Sequence, residues 1–187
     1  RLNMTTSYGK LNYNYDYDRR SLTLLGQKYG LVEPGMHASG LSLFGIDWSV
    51  SLNTVARVGA GDTICVLPTS LDVFIGFREP TIYIDNGLKK DGCRYNLVLR
   101  HEHQHQQVSI AALEYFMPRI RAEIQKALPV GASLSATDAA TEEMNGEYIR
   151  LIRPLVNDFK ATLLYEQKKL DNRENYRFES GICKGRP

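Results

Sequence analysis

Three of the four histidines in this 187-residue chain fall within five residues, in the run His101-Glu102-His103-Gln104-His105. The outer pair is four apart, and a glutamate follows the first. On a helix, residues i and i+4 lie one above the other, so His101 and His105 can direct two imidazoles at one metal ion. Glu102 lies about 100° further round, beside such an ion rather than on the ligand face. That suits it to be the general base: Zn²⁺ polarises a carbonyl and lowers the pKa of a water to about 7, and the carboxylate takes the proton and later delivers it to the leaving amine. The spacing is H-E-x-x-H, and average composition produces it by accident on the order of once in a few hundred chains of this length. His103 is two residues from either partner and faces another side of the helix, so it is not expected to be a ligand.

The neighbouring sequence predicts the helix this chemistry requires. No Gly or Pro occurs from Leu97 to Pro118, and Val98, His101, His105, Val108 and Ala112 form one inward stripe. The pattern continues through Ile120, Ile124 and Leu128, with Pro118 as a kink or a new helix start. Residues 129–135 read as a connector, and Thr137 or Asp138 can cap a long helix to about Leu170, bent at Pro154. An antiparallel helix pair turning near residues 131–133 sets residues 157–165 opposite the histidines. Asp158 and Glu166 are then the candidates for a third ligand. His37, Tyr165 and Tyr176 are candidate donors to a substrate carbonyl, and sequence does not rank them.

Before residue 92 the periodicity is that of strands. Tyr13, Tyr15 and Tyr17 alternate with Asn and Asp, a turn at 18–21 leads to an expected strand from Leu22 to Leu25, and another alternation runs from Leu41 to Val58. Shorter runs at Thr63–Leu67, Leu71–Phe77 and Thr81–Ile84 complete a mainly antiparallel sheet of about five or six strands. Either of the last two is expected to be the edge along which an extended peptide lies. The fold class is therefore α+β, a single domain over 1–187, with a β-rich part (1–91) before a helical part (92–187) that carries the site.

A net charge of +2, from 23 basic and 21 acidic residues, argues against a strong nucleic-acid binder. No run of 18 apolar residues is present, so no membrane span is expected. The chain starts at Arg1 rather than Met, as either a mature chain whose signal peptide has been removed or a truncated one would, which permits the expected secreted or periplasmic location. Cys65, Cys93 and Cys183 form no C-x-x-C pair. A disulfide between Cys93 and Cys183 is favoured because it ties the last residues to the turn just before the motif helix; three reduced, buried cysteines carry nearly equal weight.

The segment Gly92-Cys93-Arg94-Tyr95 leading into Val98-Leu99-Arg100-His101-Glu102-His103-Gln104-His105, with Leu170-Asp171 to Tyr176 and Cys183, resembles uncharacterised bacterial secreted zinc-dependent proteases of the zincin type. The likeness covers roughly residues 40 to 183. It implies an N-terminal sheet before the motif helix, zinc on His101 and His105, Glu102 as catalytic base, and a peptide or protein substrate. The chain departs from better-known zincins in lacking an N-E-x-x-x-D-like segment, and Val108 and Ala111 stand where an extended H-E-x-x-H-x-x-G-x-x-H motif needs Gly and His, so the third ligand stays open. Two histidines and a carboxylate also suit Fe²⁺ or Mn²⁺. Two other readings compete. One is a non-catalytic envelope protein with a structural or vestigial metal site; the other is a carbohydrate-binding module using exposed, coplanar Tyr13, Tyr15 and Tyr17.

Overall fold

The computed structural model describes residues 1–58, 64–128 and 138–184. In chain order these form β1 (Leu2–Ser7), β2 (Asn12–Asn14), α1 (Arg19–Lys28), β3 (Gly40–Val58), β4 (Ile64–Ile84), α2 (Cys93–Ala127), α3 (Asp138–Leu170) and α4 (Arg173–Ile182). The α+β class holds. Both long helices lie where periodicity put them, with Pro118 inside α2 and Pro154 inside α3. The Pro129–Ser135 connector, the Thr137 cap and Thr63 lie outside the described residues.

The sheet departs from expectation. β1 and β2 both pair with β4 in parallel, Leu2 opposite Leu71 and Asn12 opposite Thr81, so the sheet is not mainly antiparallel. Alternation identifies strands but not their direction. Neighbouring strands in sequence commonly pair antiparallel, whereas β1 and β2 pair with a strand some seventy residues away. The three short runs before residue 85 are one strand, β4, which passes through Pro68 and Pro80. β3 also pairs with β4, so neither Leu71–Phe77 nor Thr81–Ile84 is a free edge; among the described residues β3 pairs with β4 alone.

The expected strand at Leu22–Leu25 is helix α1. Asp18 caps it, its carboxylate accepting from the Ser21 amide at 2.7 Å. Leu22 and Gly26 are buried while Leu24 is exposed, a helical spacing that a four-residue run with three leucines is too short to reveal.

The chain folds as two compact units. The first comprises Arg1–Ser7, Ile46–Gly76 and Leu113–Lys160. Leu71, Val73 and Ile75 of β4 are buried there, as are Leu113, Phe116, Ile120 and Ile124 of α2 and Met144, Tyr148, Ile152, Val156 and Phe159 of α3. Phe116 and Phe159 meet with ring centroids 5.4 Å apart. The second unit, Tyr8–Gly45, Phe77–Ala112 and Ala161–Pro187, holds the histidine motif. Its core includes Ile82 and Ile84 of β4 and Tyr95 of α2, with Leu11, Leu88, Val98 and Leu99 packed around them.

Candidate metal centre

The second unit builds its polar site on the inward face of α2. His101, Glu102 and His105 are each 7% exposed or less, on a helix whose other buried positions are apolar or small. Buried imidazoles and carboxylates need partners. These come from the end of α3 and from α4. α3 stops at Leu170; Asn172 then caps α4 by accepting from the Asn175 amide at 2.8 Å and donates to the Lys169 carbonyl at 2.7 Å. Asp171 is held in the tight junction between the two helices. At the far end of α4, Cys183 is bonded to Cys93, the first residue of α2. The favoured disulfide is therefore present, and it closes α4 over the histidines.

Three atoms converge. His101 Nε2 and His105 Nε2 are 3.1 Å apart, and each lies 3.2 Å from Asp171 Oδ1. The outer ring nitrogens fix what those atoms can do. His101 Nδ1 faces Glu179 Oε1 at 3.3 Å. His105 Nδ1 meets Gln167 Oε1, whose orientation is set because its amide nitrogen donates to the His105 carbonyl at 2.9 Å and to Ser109 Oγ at 2.8 Å. Both Nδ1 atoms thus face acceptors and carry hydrogens, which leaves neutral imidazoles with their lone pairs on Nε2.

The result is a triangle of acceptors, two lone pairs and a carboxylate oxygen, with edges of 3.1 to 3.2 Å. A tetrahedral ion with bonds of ~2.05 Å has ligand-to-ligand edges of about 3.3 Å. The donor set and spacing therefore fit a divalent cation such as zinc, with Glu179 and Gln167 orienting the ligands from behind. Protons are the other way to satisfy the triangle. Burial disfavours imidazolium, yet the hydrogen bond to Asp171 and the charges of Glu102, Glu179 and Asp171 carry His101 up to about 9. His105 is raised by the same kinds of contact against the same burial. Asp171, although burial alone would raise it, is pulled far below the usual carboxylate range by its bonds to both histidines.

Neither expected third ligand is at the triangle. Asp158 is exposed and belongs to the first unit, and Glu166 pairs with Lys169 at the surface, 2.6 Å away. His103, as expected, turns away from the pair and meets the Tyr13 hydroxyl at 2.8 Å.

Glu102 sits beside the triangle, its carboxylate raised by burial against the opposing pull of the two histidines. Ser42 of β3 donates to Glu102 Oε2 at 2.8 Å. Gly40 brings the backbone of β3 so close that a β-carbon there would stand 2.5 Å from Glu102 Oε1 and 2.6 Å from Val98 Cγ1. Of the three candidate carbonyl donors, Tyr176 is the one in contact: its hydroxyl donates to Asp171 Oδ1, its ring lies 5.5 Å from His101, and burial with the Asp171 charge keeps the phenol protonated. His37 lines the same cavity, whereas Tyr165 is exposed and stacks under Lys169. The cavity is about 340 Å³, with His101, Glu102, His105, Asp171 and Gly40 to Ser42 in its wall.

Sequence reasoning missed Asp171, Gln167, Glu179, Ser42 and Gly40. Asp171 and Glu179 carried one usable signal: both are acids in the short stretch before Cys183, the cysteine favoured to pair with Cys93. No family model, curated protein or solved structure matches this chain.

Proposed function

We propose that this chain is a zinc-dependent metallopeptidase of the zincin type, working outside the reducing cytoplasm in the bacterial periplasm or in secretion. The observation that carries this reading is the 3.1 to 3.2 Å triangle of His101 Nε2, His105 Nε2 and Asp171 Oδ1 with a buried carboxylate, Glu102, at its side. Zinc held by those three atoms would supply a Lewis acid for the scissile carbonyl and lower the pKa of an attacking water to about 7. Glu102, with its carboxylate oriented by Ser42 and its pKa raised, accepts the water's proton and hands it to the leaving nitrogen. Tyr176 keeps its proton, and for its hydroxyl, which donates to Asp171 in this structure, to serve the carbonyl oxygen as charge develops there it would have to turn from that bond to the substrate. An extended substrate lies along Gly40 to Ser42, where β3 lines the cavity. The disulfide agrees with that location, and among the described residues no helix is long and apolar enough to cross a membrane.

The test begins with zinc stoichiometry of the purified chain near neutral pH, with His101→Ala/His105→Ala as control. One tightly held zinc, lost in the variant, together with peptide cleavage that disappears in Glu102→Gln while zinc is retained, is the expected result. Zinc binding without cleavage of any peptide would replace the peptidase with a structural metal site. No zinc at micromolar metal would remove the metal reading.

A further inference from the structure

Four acids and three permanent cations share the cavity wall. Glu102, Asp171 and Glu179 are bonded to Ser42 or to the histidines, and Glu33 is exposed on the segment after α1. The cations are different. Arg94, Lys168 and Arg173 all line the cavity, and among the described residues none of them has an ion pair, a hydrogen bond or an aromatic partner. Two of them bracket Asp171 in sequence. The third, Arg94, shares the α2 face with Val98, His101 and His105, all four of which line the cavity. Charged side chains lining a concave site without partners of their own are what a ligand of opposite charge requires, and a guanidinium binds a carboxylate with two parallel bonds.

The position of Arg94 gives a distance. It precedes His101 by seven residues, ~10.5 Å along a helix. An extended peptide advances ~3.3 Å per residue, so this is about three residues of substrate. We infer that the cavity selects peptides carrying a carboxylate about three residues from the bond held at His101 and His105, with Arg94 as the principal binding group and Lys168 and Arg173 lending charge. The carboxylate is either an acidic side chain or the peptide's own C-terminus. This specificity rests on the peptidase reading given above. The apolar neighbours Leu97 and Val98 on the same wall suit aliphatic side chains in the intervening positions.

The test uses zinc-loaded protein and matched peptides with Glu or Gln at each position around the cleaved bond, each with a free or an amidated C-terminus. A carboxylate about three residues away is expected to raise kcat/KM about tenfold, the worth of one charge-assisted hydrogen bond. In Arg94→Ala the ratio of Glu to Gln substrates should fall to within about twofold, while Arg94→Lys keeps part of it. Zinc content equal to wild type confirms that the variants are folded. A preference that survives amidation identifies an acidic side chain, and one abolished by it identifies the C-terminus. Equal cleavage of all peptides, or a preference unchanged in Arg94→Ala, overturns the inference and leaves the peptidase standing. The same peptides titrated by calorimetry against Glu102→Gln provide a readout without turnover. If nothing is cleaved by wild type, the peptidase reading fails, and tighter binding of Glu than Gln peptides that depends on Arg94 still upholds the anionic subsite; equal binding overturns it.

Discussion

Replacing both Cys93 and Cys183 with serine tests how far the site depends on α4. The helix has ten residues and none of them is buried, so little apolar burial holds it in place. A peptide helix of that length is marginal in water. This segment is joined to α2 by the disulfide, by the bond from His101 Nδ1 to Glu179, by the Tyr176 ring beside His101, and by the bonds between Asp171 and both histidines. The disulfide closes a loop spanning 90 residues, and releasing a loop of that size restores chain entropy worth about 4.6 kcal/mol at 25 °C. Removal of a native disulfide typically costs about 2–5 kcal/mol, so the double variant should fall in the upper half of that range, with a transition roughly 9–18 °C lower at the full value. Urea unfolding of metal-free wild type and variant measures this. Hydrogen exchange then locates the effect: amides of Arg173–Ile182 should lose protection before the rest of the second unit does. Zinc affinity should fall about 10–100-fold as Glu179 and Tyr176 leave the site. A stability change under about 1 kcal/mol, with α4 amides as protected as in wild type, would refute the view that the disulfide holds this segment on the histidines.

Asp171→Asn should weaken zinc binding more than the about 100-fold typical of losing an outer-shell group, whereas Asp158→Asn and Glu166→Gln should leave it within about threefold; competition with a chromogenic chelator ranks the three. Gly40→Ala forces a methyl into contact with Glu102 and Val98, and should cost about 1–3 kcal/mol in thermal or urea unfolding; an unperturbed variant would show that β3 does not bear on Glu102 as closely as 2.5 Å implies. In the metal-free protein His101 has a folded pKa of about 9, above its ordinary 6.5, so its contribution to stability is complete below about pH 6.5 and disappears as pH rises through about 9. Asp171 is shifted the other way, contributing above the ordinary aspartate range and losing that as pH falls through its folded pKa. The urea midpoint of chelator-treated protein should therefore decline from pH 7 to 9.5, and a flat profile would contradict the assignment.

The helical half of the fold was legible because long amphipathic patterns carry many repeats of the same signal. Val98, His101 and His105 recur over several turns, and the prolines at 118 and 154 interrupt neither helix. The β half was less so. In Leu22-Thr23-Leu24-Leu25 one apolar run fits a strand or a helix, and the deciding term is a single capping carboxylate, Asp18, whose effect is visible only once it reaches the Ser21 amide. Strand direction was not legible at all, since pairing of Leu2 with Leu71 depends on the path of everything between them.

The site divides along the same line. His101, Glu102 and His105 could be read because their relation is local, fixed by 3.6 residues per turn. Asp171 could not, because equal rise along two helices locates a residue only while both remain helical. The window computed for the third ligand ended at residue 165; Gln167, on the last turn of α3, occupies the place opposite His105, and the acid comes from beyond the helix end, where the chain turns. An aspartate beside Asn172 sits in a turn that the Asn172 side chain fixes by bonds to the backbone on both sides, and its carboxylate can approach two imidazoles that a helical carboxylate one turn earlier would address from the side. The same turn starts α4 and so brings Tyr176 and Glu179 with it, which makes the proposed third ligand, the proposed carbonyl donor and the acceptor at His101 Nδ1 parts of one segment of nine residues. A single local element thus carries half of the proposed site, and the expected pairing of Cys183 with Cys93 is the one feature of the sequence that ties this element to the motif helix.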